Sequence, residues 1–265
     1  MIRDNARVLR GALISALADF RAIYTWWTWG FAWLTRIIVQ VAFFAIIGRL
    51  LDSPERTRFL LVGNAVFIAV LVSMLVCAST SWERQTGTLP LLIASASHPF
   101  VVFAGRSAQW IVDGTVCASV SLFVLGPLFG LGVPLSRMLA AIPVILLISV
   151  SAYCFGLALA GLVLRKMELR NLVGNLASLS LMVFCGVQVP TSFWPEPVQV
   201  VASVLPLTHG LHAVRDLFAG APVGAILGSV GLEMCVLVGW LLIASLTFRW
   251  LAESGRADGS IEYGE

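Results

Sequence analysis

Three side chains able to ligate a metal ion stand close together late in the sequence. His209 and His212 are three residues apart and Asp216 follows four residues later, so a helix would place all three on one face, as in zinc-binding helices. A simpler explanation starts from Pro206, after which a helix is expected to begin, because polar side chains at a helix start hydrogen-bond the free backbone donors. We favour helix capping and predict no metal site.

Residues for nucleotide hydrolysis are missing from the sequence. The single lysine, Lys166, follows the residues LVLR, so a phosphate-binding loop of the GxxxxGK type cannot form. No HExxH or GxSxG motif occurs, and the nearest nucleophile pattern, Gly105-Arg106-Ser107, has no histidine in its segment beyond His98. We expect this chain to have no catalytic residues and to hold no cofactor of its own.

The elements that must position any functional residue are strongly apolar. The chain has 265 residues, of which 59% are hydrophobic and 12% charged, and its mean hydropathy is +0.94. The hydrophobic fraction and the hydropathy are higher than in soluble domains, and the charged fraction is lower. We therefore conclude that this is an integral membrane protein. Its net charge of +3 is small and its basic residues are dispersed, which argues against a nucleic-acid partner.

Six apolar runs are long enough to cross a bilayer, whose hydrocarbon core of about 30 Å needs roughly 20 helical residues. The runs are continuous rather than alternating, so helices are expected and a strand barrel is not. The predicted fold is all-α, a polytopic membrane protein whose domain of residues 29–265 contains six transmembrane helices. The predicted spans are residues 29–51, 59–81, 106–131, 139–164, 172–189 and 225–248.

The distribution of Lys and Arg predicts the orientation, because cytoplasmic connections carry an excess of both. An even number of spans puts both termini on the same side, and that side, with the tail 249–265, holds most of the basic residues. Both termini are therefore predicted to be cytoplasmic. The basic residues on this side are Arg3, Arg7, Arg10, Arg21, Arg84, Arg106, Arg165, Lys166, Arg170, Arg249 and Arg256. Those on the opposite side are Arg56, Arg58, Arg137 and Arg215, with Arg49 at the edge of a span.

Residues 1–28 are predicted to form an amphipathic helix at the cytoplasmic membrane interface. Over residues 3–24 the arginines, among them Arg7 and Arg10, fall on one helix face, and apolar side chains fall on a neighbouring face. A solvated N-terminal helix is the alternative. The tryptophans that follow favour the interface, where aromatic belts occur. They are Trp26, Trp27, Trp29 and Trp33.

The segment 190–220 is too apolar for a solvated loop and too interrupted for a span. Its four prolines break any helix, because each removes a backbone donor and clashes with the preceding turn. The remaining pieces, about 198–205 and 207–219, are too short to cross. We predict a re-entrant helical hairpin that dips into the outer leaflet and packs against protein. The prolines are Pro190, Pro195, Pro197 and Pro206, and the segment also carries Arg215.

Charged residues inside spans are candidates for function, because burying a charge in a membrane costs a few kcal/mol. Glu233 lies near the middle of the last predicted span. We expect it either to line a translocation path or to contact a partner chain. For Asp113 and Arg36, which lie closer to the ends of their spans, we expect a pairing with each other or a reach to the inner interface.

Two stretches resemble the type-2 ABC exporter permease family. WERQTGTLPLLIASASHP, residues 82–99, resembles the family's cytoplasmic segment of Glu, then Gly-Thr-Leu, then a Ser/Pro turn. GVQVPTSFWPEPVQVVASVLPLTHGLHAVRD, residues 186–216, resembles the family pattern of Gly, Pro, then Pro-Leu-Thr and Arg before the last span. With the order of the parts, the resemblance covers nearly the whole chain and favours the drug and antibiotic branch. Pro90 stands where the family often has an acidic residue, and a short helix is expected to begin there.

The resemblance implies a division of labour. ATP and Mg would be bound by separate ABC ATPase subunits, and two permease chains, identical or related, would form the path. In the family, the segment between spans two and three is a coupling helix seated in a cleft of the ATPase. Carried over to this chain, Arg7 and Arg10 would lie beside the coupling residues. These are Trp82, Glu83, Arg84, Thr86, Gly87, Thr88 and Leu91.

The sequence therefore predicts the permease subunit of an ATP-driven exporter in a bacterial cytoplasmic (inner) membrane. Its substrate would be a drug, an antibiotic or a lipid-like amphipath, expelled from the cytoplasm or inner leaflet. One alternative is an exporter of a polysaccharide or lipid-linked glycan. Two others are a membrane scaffold without a transport cycle and an ion-coupled transporter, for which inverted repeats would be expected.

Overall fold

A computed structural model of the protein describes residues 24–79, 99–163 and 167–258, with a few positions between 11 and 21. Every regular element within these ranges is helical. A π-helical stretch, Thr28–Leu34, leads into the first α-helix, and short 3-10 turns cover Met167–Leu169 and Thr191–Phe193. The α-helices are α1 (Thr35–Leu50), α2 (Pro54–Ser73), α3 (Pro99–Arg106), α4 (Gln109–Leu128), α5 (Leu135–Val163), α6 (Arg170–Phe184), α7 (Glu196–Val204), α8 (Thr208–Ala219) and α9 (Val223–Asp258).

Five helical stretches in the described part of the chain are long and apolar enough to cross a membrane. The predicted all-helical, multi-pass architecture is thereby confirmed, whereas the count of six is not. The predicted span 172–189 corresponds to α6, which has 15 residues and a length of about 22 Å, less than the roughly 30 Å of a bilayer core. The five stretches are Thr28–Leu50, Pro54–Ser79, Phe100–Leu128, Leu135–Val163 and Val223–Leu251.

Local sequence signals explain where α2 begins. The Ser53 hydroxyl accepts a hydrogen bond from the Arg56 backbone N–H at 3.3 Å, and Pro54 occupies the first helical position. A proline costs little there, because its missing donor would have had no partner within the helix. At the other end of the chain, α9 continues to Asp258, so part of the predicted cytoplasmic tail is helical.

Helix α2 is the centre of the bundle. In its apolar window 83% of the residues are buried, against 17% in the first stretch and 6% in α9. It packs against α1, α4 and α5, while α9 packs against α5 and α8. Every residue from 61 to 70 is buried, and Gly63, Ala65 and Ala69 are small, which allows neighbouring helices to approach closely.

The short helix α6 runs beside α2. Near the start of α6, a Cβ added to Gly174 would lie 3.9 Å from the Cys77 sulfur. Just past its end, the Val187 carbonyl oxygen comes so close to Gly63 that a Cβ there would be 2.5 Å away. Gly63 and Cys77 are about 21 Å apart at 1.5 Å per residue. Helix α6 and the turn after it therefore lie beside the second half of α2 and the residues that follow it.

The π-helical stretch holds a buried carboxylate in α4. The indole N–H groups of Trp29 and Trp33 donate to Oδ1 and Oδ2 of Asp113, at 2.8 and 3.1 Å. Arg36 lies over the Trp33 ring, 5.4 Å from its centroid. The described partners of the carboxylate are thus two indoles and the Cys117 thiol, whose Sγ lies 3.5 Å from Oδ1; the pairing with Arg36, one of the two expected alternatives, is not among them. Hydrogen bonds to an ionised group are stronger than neutral ones.

Removing one of these indole donors should destabilise the fold. W29F keeps a ring in place but leaves one carboxylate oxygen of Asp113 without that donor, which costs about 1–3 kcal/mol. We expect purified W29F to have a lower thermal midpoint, measured as the temperature at which half of the protein is lost from the size-exclusion peak after heating. The matched control is W27F, because the Trp27 side chain is 70% exposed and stacks on Phe31. Equal midpoints for W29F and W27F would contradict the proposed role of the Trp29 donor.

Candidate functional site

The predicted coupling residues lie outside the described part of the chain. No side chain of the segment 82–99 is described, so the contacts expected of these residues stay predictions. The same holds for Arg7 and Arg10 of the predicted interfacial helix. The coupling residues are Trp82, Glu83, Arg84, Thr86, Gly87, Thr88 and Leu91.

The two flanks of this segment, in contrast, are described and are anchored to other helices. On the N-terminal flank, the Trp110 indole N–H donates to the Ser79 hydroxyl at 3.1 Å. On the C-terminal flank, Phe100 and Phe103 of α3 pack against Phe248 of α9, with ring centroids 6.2 and 5.1 Å apart. Both Phe103 and Phe248 are fully buried. A displacement of the segment would therefore act first on α4 and α9.

Helices α7 and α8 form the hairpin of the segment 190–220, and residues 205–207 make its turn. Close to the turn, a Cβ added to Gly210 would lie 2.3 Å from Cγ1 of Ile148 and 3.4 Å from the carboxyl carbon of Glu233. Ile148 and Glu233 lie about 20 and 15 Å from the starts of α5 and α9, at 1.5 Å per residue. The turn is thus level with the middle of α5 and with a point about a third of the way along the apolar stretch Val223–Leu251 of α9.

Glu233 of α9 holds the start of α8. Its side chain is fully buried, and its Oε1 and Oε2 accept hydrogen bonds from the backbone N–H groups of Leu207 and Gly210, at 3.2 and 2.9 Å. The first amides of a helix have no partner within the helix and carry partial positive charge. The carboxylate therefore satisfies two orphan donors, and these donors replace part of the solvation that its burial removes.

The last carbonyl groups of α7 are satisfied at the same turn. Three side chains approach them: Thr208 donates to Ala202 at 2.6 Å, Nε2 of His209 lies 2.9 Å from the Ser203 oxygen, and the Trp240 indole donates to Val204 at 2.9 Å. The capping expected for Thr208 and His209 at the start of α8 thus occurs at the end of the preceding helix. In a hairpin both helix ends meet at one turn, and the start of α8 is already held by Glu233.

The turn itself contains a strained residue. Leu207 has a φ of +99°, a region in which the Cβ of an L-residue clashes with the backbone. Its side chain is fully buried, and its N–H is one of the two donors to Glu233. Such a conformation persists only where the surroundings hold it. The hairpin turn therefore depends on the hydrogen bonds that α9 supplies.

The other residues that the sequence predicted to matter in this segment, Pro190, Pro206 and Arg215, lie at different ends of the hairpin. Pro206 is buried in the turn, and Pro190 is exposed just after α6. Arg215 lies on the side of α8 that contacts α2, where its Nη2 donates to the Phe59 carbonyl oxygen at 3.3 Å. Glu233 and Pro206 thus lie at the tip, while Arg215 and Pro190 belong to the other end of the hairpin.

The three side chains with metal-ligand chemistry do not converge. His209 faces Ser203 at the end of α7, whereas Nδ1 of His212 and Oδ2 of Asp216 are 3.4 Å apart on a more exposed face of α8. Within the described ranges no group of three His, Cys, Asp or Glu residues could hold a metal ion.

Sequence reasoning missed Trp240 and Phe248. Trp240 lies seven residues after Glu233, a spacing that puts both on one helix face. That spacing could have been found, but a tryptophan in a span is equally typical of an aromatic belt. Trp240 donates to the Val204 carbonyl, and the position of that carbonyl is known only once the hairpin has folded.

The role of Glu233 can be tested by hydrogen–deuterium exchange of the two backbone amides that it binds. In E233Q the neutral amide accepts at one atom only, so at least one of the two amides of Leu207 and Gly210 loses its partner. We expect hydrogen–deuterium exchange in peptides covering residues 205–212 to accelerate about tenfold, which corresponds to ~1.4 kcal/mol.

The control for this experiment is E196Q. Glu196 is exposed in the first turn of α7, so its neutralisation should leave exchange at the turn unchanged. Unchanged exchange in E233Q would mean that the Glu233 carboxylate does not hold the turn.

Comparisons with known proteins agree with this architecture. A search of curated proteins found no match to the chain. A family model described as "ABC-2 type transporter" matches residues 13–219, well over half of the chain and up to the last residue of α8. The matched region includes the central helix α2, the segment 82–99 and the whole hairpin. The chain belongs to the ABC-2 type transporter family and is a transport permease component of the membrane.

Proposed function

We propose that this chain is the permease subunit of an exporter that is driven by separate ABC ATPase subunits. Those subunits bind ATP and Mg, and this chain carries a hydrophobic or amphipathic substrate, such as a drug, an antibiotic or a lipid-like molecule, outward. One observation carries the proposal: the flank of the segment 82–99 packs on α9 through Phe103 and Phe248, and α9 holds the turn of the hairpin through Glu233.

These contacts suggest how ATPase movement reaches the membrane interior. The ATPase engages the segment 82–99 at the cytoplasmic face, with Arg7 and Arg10 nearby. Movement of the segment shifts α9 through the Phe103–Phe248 contact. The shift reaches Glu233 and Trp240, which lie about 22 and 12 Å further along α9 from Phe248, at 1.5 Å per residue. The hairpin turn then moves as a unit, because helices transmit displacement with little deformation.

The proposal includes a sixth crossing by α6. Its position beside α2, from Cys77 to Gly63, supports a short span whose ends are extended by the 3-10 turn before it and the turn after it. Six crossings put both termini on the same side, which the distribution of basic residues assigns to the cytoplasm. The membrane is then a bacterial cytoplasmic membrane.

A second permease chain, identical or related, completes the proposed transporter. The outward faces of the first stretch and of α9 are apolar and exposed in the single chain, with only 17% and 6% of their apolar windows buried. Apolar faces of this kind are suited to contact with lipid or with a second chain. The two permease chains would then form the path, and the ATPase subunits would drive them.

The coupling residues can be tested by separating ATP turnover from transport. We expect E83A or G87P to leave a stable complex with the partner ABC ATPase, and to lower substrate transport per ATP in proteoliposomes. The alanine removes a contact to the ATPase, and the proline removes a backbone donor and restricts the chain.

The matched control is E55A, because Glu55 is exposed at the start of α2, on the opposite side of the predicted membrane. Export at wild-type efficiency in both E83A and G87P would refute the coupling role. Failure of the chain to associate with any ATPase would refute the exporter and favour the scaffold or the ion-coupled transporter.

The contact between α3 and α9 gives a second test of the same mechanism. F248A opens a cavity where Phe103 and Phe248 meet, so displacement of the segment 82–99 reaches α9 less directly. We expect a several-fold lower ratio of transport to ATP hydrolysis, and F248L, which refills most of the volume, should restore it. L246A is the control, since Leu246 is 60% exposed on the same helix. An unchanged ratio in folded F248A would exclude this route.

A further inference from the structure

Arg215 of α8 is a charged side chain in the helix bundle, and no carboxylate among the described residues pairs with it. Its guanidinium stacks on Phe59 of α2, 3.7 Å from the ring centroid, and its Nη2 donates to the Phe59 carbonyl oxygen at 3.3 Å. Its Nε is buried and has no hydrogen-bond partner in the described part of the chain. One acceptor therefore serves a group that carries five N–H donors.

The surroundings of this guanidinium are small and polar. A Cβ on Gly63 would lie 2.9 Å from its Nη2, and a Cβ on Gly186 would lie 3.6 Å from its Nη1. Next to these glycines along the chain, Gln188 donates to Asn64 across α2 and the turn after α6, at 3.0 Å. Because both glycines lack a Cβ, the guanidinium lies close to the backbone at these positions, and neither neighbouring amide carries a charge that could neutralise it.

The contrast with the other charges of the hairpin is informative. Within the described ranges, the ion pair of the hairpin is that of His212 and Asp216, and Glu233 at the tip has two backbone donors. A partly buried cation without a counter-ion costs several kcal/mol of solvation, so such residues in membrane proteins mark binding sites by default. Arg215 also keeps part of its surface accessible.

We propose that Arg215 is the docking point for an oxyanion, a phosphate or carboxylate, at the head of an amphipathic substrate. A guanidinium presents parallel donors that match the oxygens of such a group. Arg215 lies near the end of α2 that begins at Pro54, which is the outer side by the distribution of basic residues. The anionic head therefore binds at the outer end of the hairpin while the apolar part remains in the membrane. This inference deepens the proposed function and rests on it for the identity of the ligand as substrate.

The test uses the full chain in nanodiscs of phosphatidylcholine, with a thermal midpoint as the readout. Three probes are added: dodecyl phosphate, dodecylphosphocholine and sodium phosphate. We expect dodecyl phosphate to raise the midpoint of the wild type and dodecylphosphocholine to raise it much less. In R215Q the concentration needed for half of the shift should rise at least about tenfold.

The matched control is R137Q. Arg137 belongs to α5, and its Nη1 donates to the Phe218 carbonyl near the end of α8, at 3.4 Å. This variant therefore removes an arginine that contacts α8 without touching the site of Arg215. Its response to dodecyl phosphate should equal that of the wild type. R215K keeps the charge but not the planar guanidinium, and it is used where R215Q does not fold. It should bind dodecyl phosphate more weakly than the wild type does, while still preferring it to dodecylphosphocholine.

The outcomes are distinct. Equal responses of R215Q and wild type, or of R215K and wild type where R215Q does not fold, overturn the site. So do equal shifts by the two dodecyl probes. An equal shift by sodium phosphate supports the site and assigns it to a free anion rather than an amphipath. Co-purification with the ATPase is measured separately, and its loss in the wild type would overturn the exporter without affecting the anion site.

Discussion

A hairpin that ends inside the bundle, beside two long helices, must find partners for its backbone without water. Helix ends leave donors and acceptors unpaired, and in hydrocarbon each of these costs several kcal/mol. In this protein the donors at the start of α8 go to Glu233, and a carbonyl at the end of α7 goes to Trp240. Both side chains belong to α9, so the depth and position of the hairpin are set by one helix.

This arrangement changes how the last helix is understood. Only 6% of the apolar window of α9 is buried, which is typical of a helix that serves mainly as a boundary with lipid. Yet two of the few buried residues of α9 make the contacts on which the proposed mechanism depends. Glu233 lies at the hairpin, and Phe248 lies beside the flank of the segment 82–99. Helix α9 is thus exposed on one side, while on the other side it packs along α5 and α8.

The sequence predicted those features that depend on local pattern. Apolar runs located five long spans, and the prolines of the segment 190–220 located the hairpin, because both signals act over a few turns. Partners were missed where they are distant along the chain. Asp113 meets Trp29 and Trp33 through a stretch of π-helix, and no pattern in the sequence distinguishes these indoles from the exposed Trp26 and Trp27. The short α6 was misjudged in length, since an apolar run does not show that its last residues form a turn.

Glu233 and Arg215 differ in a way that separates anchoring from binding. Both are ionisable, and both belong to the hairpin contacts. Among the described residues, the carboxylate has a donor at each oxygen, while the guanidinium has one carbonyl acceptor. A fully paired charge makes the folded state rigid, and adding a ligand to it would require breaking bonds already made. An unpaired charge leaves bonding capacity that an incoming anion can use, at no cost in lost contacts. In the proposed mechanism, the tip of the hairpin transmits movement, and the end that carries Arg215 meets the ligand.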